Sequence, residues 1–131
     1  MNSNANLIAW LPDRSGWELV AAGKHSLIYN CGDGWVFKQA RCHEQTVVRE
    51  ALKMLYDLAD VPRMIDAVGG FFQEFVRGVV PSPRETMRLA WRINQISKSR
   101  GIYFYDLVPG NVIMANGRLV IIDALWKPRR R

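Results

Sequence analysis

Hydrophobic positions along the chain follow two rhythms. From Trp17 to Ala40 the apolar, aromatic and β-branched residues come in three short runs, GWELVAAG, SLIYNCG and GWVFKQA. Gly23-Lys24 separates the first two, and Gly32-Asp33-Gly34 separates the second and third. Short runs between such turn residues predict three strands, the last two joined as a hairpin, because glycine takes positive φ at little cost. From His43 to Leu58 the rhythm changes. Val47, Val48, Ala51, Leu52, Leu55 and Leu58 recur at helical spacing and give one apolar face, and Asp60-Val61-Pro62 ends that helix. Met64 to Val68 and Phe71 to Val76 read as two more strands around Gly69-Gly70.

A second helix is announced by Ser82-Pro83-Arg84-Glu85: a serine cap, proline at the first position and glutamate three residues after the cap. It is expected to run to about Ser99, with Arg100-Gly101 as its stop. Met87, Leu89, Ala90, Trp91, Ile93 and Ile96 are expected inside, and Arg88, Arg92, Asn94, Gln95 and Lys98 outside. Last comes NVIMANGRLVIIDA, a hairpin about Asn116-Gly117. Three strands, a helix, two strands, a helix, a loop and a hairpin make an α+β chain, with mostly antiparallel sheet and helices packed on it.

Composition narrows this only a little. The 131 residues suffice for a real core, and 49% hydrophobic content argues against a disordered chain. The net charge of +6 favours anionic partners, but KPRRR at the end holds four of the 18 basic residues and reads as a solvated basic tail, 126–131. Nucleic acid is therefore not an expected partner, and an oligomer is left open. The opening MNSNANLIAWLPDRSG has no basic leader pattern and reads as a loosely docked arm, 1–16. No apolar run reaches the roughly 18–20 residues that span a bilayer. Two cysteines, Cys31 and Cys42, form no CxxC pair. A zinc set with His25 and His43 is the lesser reading and plain thiols the greater, which fits a cytoplasmic location.

The chemistry concentrates near the end. In YDLVPGNVIM, Asp106 is followed after four residues by Asn111, and a second acid, Asp123, closes the apolar run VIID. Each has a plain alternative: Asp106 as a turn residue, Asn111 bonding its own loop, Asp123 starting a turn. As an ordered set they resemble the catalytic and metal loops of the protein-kinase-like superfamily, an aspartate, four residues, an asparagine, then a strand pair ending in a metal-binding aspartate. WVFKQA resembles the strand that carries that family's phosphate-binding lysine, here Lys38. Glu50, twelve residues on, stands where the lysine's partner belongs, with Glu44 as its rival on the same helix. FFQEFVRG resembles the strand that meets adenine, with Glu74 and Phe75 at the contact. The resemblance runs from about Trp17 to Leu125 and is closest to minimal bacterial kinases, of effector or phage type, that lack an activation segment.

The resemblance implies a fold and a set of roles. A five-stranded antiparallel sheet with one helix, 17–77, would precede a severely reduced second lobe, 78–125, of one helix, a catalytic loop and a β-hairpin. The cofactors would be ATP and Mg²⁺. Asn111 and Asp123 would ligate the metal with the hard oxygens Mg²⁺ prefers. Lys38 would neutralise phosphates and Glu50 would orient it. Asp106 would take the acceptor's hydroxyl proton. Gly23, Lys24 and Ser26 would cover the phosphates. The implied activity is transfer of the ATP γ-phosphate to a protein hydroxyl, serine or threonine. A nucleotide- or protein-binding pseudokinase, or a small-molecule kinase, is the alternative. Such a kinase would be cytoplasmic, or delivered from a bacterium into a host cell without a leader. The chain departs from the family's pattern in three places. Its first turn holds one glycine, Phe104-Tyr105 replaces His-Arg before the catalytic aspartate, and Asp123-Ala124-Leu125 replaces Asp-Phe-Gly.

Overall fold

The structure, a computed structural model, describes residues 16–23 and 26–129. The chain divides into two compact units. Among the described residues, those up to Thr46 together with Arg63–Phe75 form one, and Val47–Pro62 with those from Val76 onward form the other.

The first unit is a five-stranded antiparallel sheet of β1 (Glu18–Ala22), β2 (Ser26–Gly32), β3 (Trp35–Ala40), β4 (Met64–Ala67) and β5 (Gly70–Glu74), in the order β1-β2-β3-β5-β4. The β2–β3 turn puts Gly32, Asp33 and Gly34 at φ 81°, 55° and 81°. Three consecutive left-handed residues explain why the sequence spends two glycines and an aspartate there. Phe37 and Phe72 are buried facing partners in the register, with ring centroids 5.1 Å apart. Trp17 lies 5.3 Å from Phe37 and meets Phe72 edge-on at 5.8 Å. Burying one such ring is worth roughly 1.5–3 kcal/mol, and each favourable ring pair adds about 0.5–1.5 kcal/mol. Gly70 faces Gln39, and a methyl group there would overlap the carbonyl oxygen of Lys38. That close approach is what sets glycine at the start of β5.

Helix α1 (Glu44–Leu55) stops short of Leu58, the last residue of its apolar pattern, where Leu58 N–H already turns back to the Leu55 carbonyl at 2.9 Å. Val48, Ala51, Leu52 and Leu55 are buried, as the periodicity requires.

In the second unit, helix α2 (Pro83–Ser97) begins with the full reciprocal cap. Glu85 N–H donates to Ser82 Oγ at 3.2 Å, and Ser82 N–H donates to Glu85 Oε1 at 3.0 Å. Those bonds to Ser82 hold the Glu85 carboxyl below its ordinary range. A 3₁₀ turn, Lys98–Arg100, follows, and Gly101 ends it at φ 69°. Two strand pairs come next: β6 (Ile102–Tyr105) with β9 (Leu125–Pro128), and β7 (Val112–Ala115) with β8 (Arg118–Ile121). The β7–β8 turn places Asn116 at φ 52° and Gly117 at φ 76°, the hairpin the Asn-Gly pair predicts. Val79 and Met114 exchange two main-chain hydrogen bonds, 3.0 and 2.8 Å, which fastens the segment before α2 to β7. Gly78 sits so close to Met114 that a side chain would overlap its carbonyl. Arg100 holds Asp57 with two hydrogen bonds, 2.9 and 3.3 Å, and lowers that carboxyl's pKa.

Four expectations are corrected. Trp126, Lys127 and Pro128 belong to β9, so the basic end is not wholly a tail. The β6–β9 ribbon lies where a plain loop was expected, because strands of four residues with mixed burial carry no clean alternation. Trp91 is 67% exposed, and Met87 and Ile96 are exposed too, so α2 buries a narrower face centred on Leu89 and Ile93. Asn94, expected outside, is 9% exposed. Its side chain gives Nδ2–H to the Phe104 carbonyl at 2.9 Å and accepts the Phe104 N–H at 2.8 Å. An amide presents a donor and an acceptor side by side, so it pairs with a strand edge as another strand would. Cys31 and Cys42 are thiols. Lys24, most of the N-terminal arm, and Arg130 and Arg131 lie outside the described residues.

Candidate functional site

The residues singled out by the sequence fall in both units. In the first, Lys38 occupies the middle strand and is 6% exposed. A charge on an edge strand that reaches out to water is thereby excluded. Its ammonium lies 5.6 Å from the centre of the Phe71 ring, and its carbonyl accepts Gln45 Nε2–H at 3.0 Å. The buried Gln45 side chain thus joins the start of α1 to β3. A buried ammonium is costly to desolvate and is retained where it faces negative charge. Gly23 and Ser26 flank the β1–β2 turn, where Gly23 N–H donates to the Ser26 carbonyl at 2.8 Å. Arg41 reaches back to the Gly23 carbonyl, also at 2.8 Å. At the end of β5, Glu74 is held by Arg63 at 2.7 Å, and the Arg63 guanidinium lies 5.4 Å from the Trp35 ring centre. The Glu74 and Phe75 N–H groups are spent within the sheet, on the carbonyls of Arg63 and Gly34.

In the second unit three of the residues are tied together. Asp106 leaves β6 at φ 66°, a left-handed conformation that costs a non-glycine residue on the order of 1 kcal/mol. Asn111 braces it, with Nδ2–H donating to the Asp106 carbonyl at 2.9 Å. The Asn111 N–H is fixed to the Val108 carbonyl at 3.0 Å, while Gly110 takes the turn at φ 96°. The Asn111 carbonyl in turn accepts from Ile122 N–H at 2.9 Å and Asp123 N–H at 3.2 Å. One residue therefore links the Asp106 backbone to the Asp123 backbone. Leu107 is buried and pins the loop, while Asp106 is exposed and its carboxylate takes no hydrogen bond or ion pair among the described residues. Asp123 is half-buried. The sequence placed these three residues in one motif. The role of the Asn111 carbonyl follows from the β7–β8 register that the two-residue Asn116-Gly117 turn sets, which brings the Ile122 N–H to it.

Glu50 is exposed on α1 and makes no side-chain hydrogen bond or ion pair among the described residues, and Glu44 lies in the helix's first turn. Among the described residues no group of three or more histidine, cysteine, aspartate or glutamate side chains is placed to hold a metal. A metal at Asp123 and Asn111 would thus have one carboxylate and one amide oxygen from the protein, the sparse donor set that Mg²⁺ accepts when phosphates and water complete its shell. None of the described helices is long and apolar enough to cross a membrane.

No protein-family model matches the chain, no curated protein matches it in sequence, and no solved structure matches it in fold.

Proposed function

We propose that the protein is an ATP- and Mg²⁺-dependent phosphotransferase, a minimal relative of the protein kinases that transfers the γ-phosphate to a protein hydroxyl. The observation that carries this reading is the Asp106–Asn111–Asp123 linkage. A strained aspartate whose carboxylate is unengaged among the described residues and a second, half-buried aspartate are joined through one asparagine. Proton acceptance and metal binding need these side-chain types, and phosphoryl transfer needs them held still. The buried Lys38 on the central strand of an antiparallel five-stranded sheet supports it independently.

Each residue then has a role. Asp123 and Asn111 offer oxygens to Mg²⁺, Asp106 accepts the proton from the attacking hydroxyl, and Lys38 offsets phosphate charge. Glu50, exposed and without a side-chain partner among the described residues, is given no role in this version. A second reading, nucleotide binding without transfer, is favoured by the first turn with its single glycine. Calorimetric titration with ATP, with and without Mg²⁺, tests the shared step. Binding that requires Mg²⁺ and fails in Asp123→Ala supports both readings, and binding of neither nucleotide nor metal removes both.

A further inference from the structure

We propose that the outward surface of α2 and the β6–β9 ribbon binds single-stranded nucleic acid. This does not rest on the phosphotransfer reading. Tyr103 and Tyr105 stand two apart on β6, both exposed, with rings parallel to within 7° and centroids 6.4 Å apart. Lys127, which faces Tyr103 in the register, holds its ammonium 5.4 Å from the centre of each ring. The Arg129 guanidinium lies 5.7 Å from the Tyr103 ring centre. Tyr103 and Arg129 also line an open depression of about 360 Å³ with Trp91, Gln95 and Lys98. Trp91 leads into a second depression of about 350 Å³, lined by Arg84, Met87 and Arg88. Exposed aromatic rings and cations thus alternate along one surface, and among the described residues no acid lines either depression.

Two carboxylates of this unit are engaged, Glu85 with Ser82 and Asp57 with Arg100, while Asp106, next to Tyr105, is exposed. Charge over the whole chain dilutes the asymmetry. Residues 83–131 hold ten basic and three acidic residues, against eight basic and nine acidic in the rest. The complementary partner is a polyanion. An acidic peptide would satisfy the cations but leave three exposed rings without a purpose. Unpaired bases stack on such rings while lysine and arginine take the phosphates, a sequence-tolerant mode that excludes paired bases.

The test is fluorescence anisotropy of the full chain with labelled oligo(dT) and oligo(U) of about 15 nucleotides, beside a duplex of equal length and polyglutamate. Single strands are expected to bind at least about tenfold more tightly than duplex or polyglutamate. Affinity should fall with salt with a log–log slope of about −2 or steeper, as roughly three neutralised phosphates require. Trp91→Ala and Tyr105→Ala should each lose roughly tenfold, with the melting temperature unchanged. Trp91 is exposed enough that its removal leaves the fold in place. Three results would each overturn the proposal: no binding at about 50 mM salt, equal affinity for single strand, duplex and polyglutamate, or single-strand binding unmoved by both substitutions.

Discussion

The side-chain amide of Asn111 donates to the main-chain carbonyl of Asp106 at 2.9 Å, so the residue expected to bind metal also sets the backbone of the residue expected to take the proton. Replacing it with aspartate separates the two jobs, because a carboxylate keeps a metal oxygen and loses the donor. Asn111→Asp is expected to lower phosphate transfer by about 100-fold or more while costing only about 0.5–1.5 kcal/mol of stability, the net worth of one exposed hydrogen bond. Transfer kinetics and urea denaturation of the same preparation check both halves.

Lys38 and Glu50 should behave differently. Lys38 is buried on the central strand, whereas Glu50 is exposed and makes no ion pair among the described residues. Lys38→Met is expected to abolish the thermal shift given by Mg-ATP, and Glu50→Gln to leave it within error of the parent. A thermal-shift titration decides it, and a Glu50→Gln protein that no longer responds would restore the ion-pair role to this glutamate.

Asn94 clamps both main-chain groups of buried Phe104. Asn94→Leu leaves one buried donor and one buried acceptor unpaired, each costing about 1–3 kcal/mol. A loss of roughly 2–4 kcal/mol in urea unfolding is expected, among the largest for any polar residue here. A loss below about 1 kcal/mol would mean that water satisfies those groups.

Gly70 and Gly78 both lie where a methyl group would overlap a carbonyl oxygen, that of Lys38 and that of Met114. Neither is required for a left-handed φ. Alanine at either site forces a strand or a linker to move, and a cost of about 1–3 kcal/mol is expected, as for overpacking elsewhere. Substituting Gly101, at φ 69° with open space around it, should cost less, because only the backbone conformation is strained. Parallel denaturation curves rank the three.

The folded protein holds the Glu85 and Asp57 carboxyls below their ordinary values, through Ser82 and Arg100 respectively. A lowered native pKa means that the stabilisation is fully present above the unfolded value, about 4 for these side chains, and is lost as pH falls through the lowered one. Glu85→Gln with Asp57→Asn should therefore lower the melting temperature near neutrality and flatten its dependence on pH below about 4, where parent and variant converge. Removing the cap hydroxyl alone, Ser82→Ala, should cost about 1 kcal/mol at neutral pH.

The sheet, both helices and the Asn-Gly hairpin were legible because each is written in local rules: period, turn glycines, a capping box. The β6–β9 ribbon was not, since its pairing joins residues about twenty positions apart, and pairing at that distance follows from tertiary register. Asn94 was misplaced for a related reason. A polar residue reads as solvent-facing, and only the edge of β6 reveals why it is buried. Trp91 erred the other way, a large ring on a face with little to cover it. At the candidate site the side-chain types were legible from Asp106, Asn111 and Asp123. That Asn111 bonds its own loop was among the alternatives the sequence offered; that its partner is the Asp106 carbonyl was not legible.

The most direct test of the central claim is Mg²⁺-dependent transfer of γ-labelled phosphate from ATP to protein by the purified chain. It is run alone and with cell lysate, beside Asp106→Ala and Asp123→Ala. The account predicts label on protein with the parent, none without Mg²⁺, and none with either substitution. Transfer that persists in Asp106→Ala and Asp123→Ala, or no transfer by the parent under any condition, would contradict it.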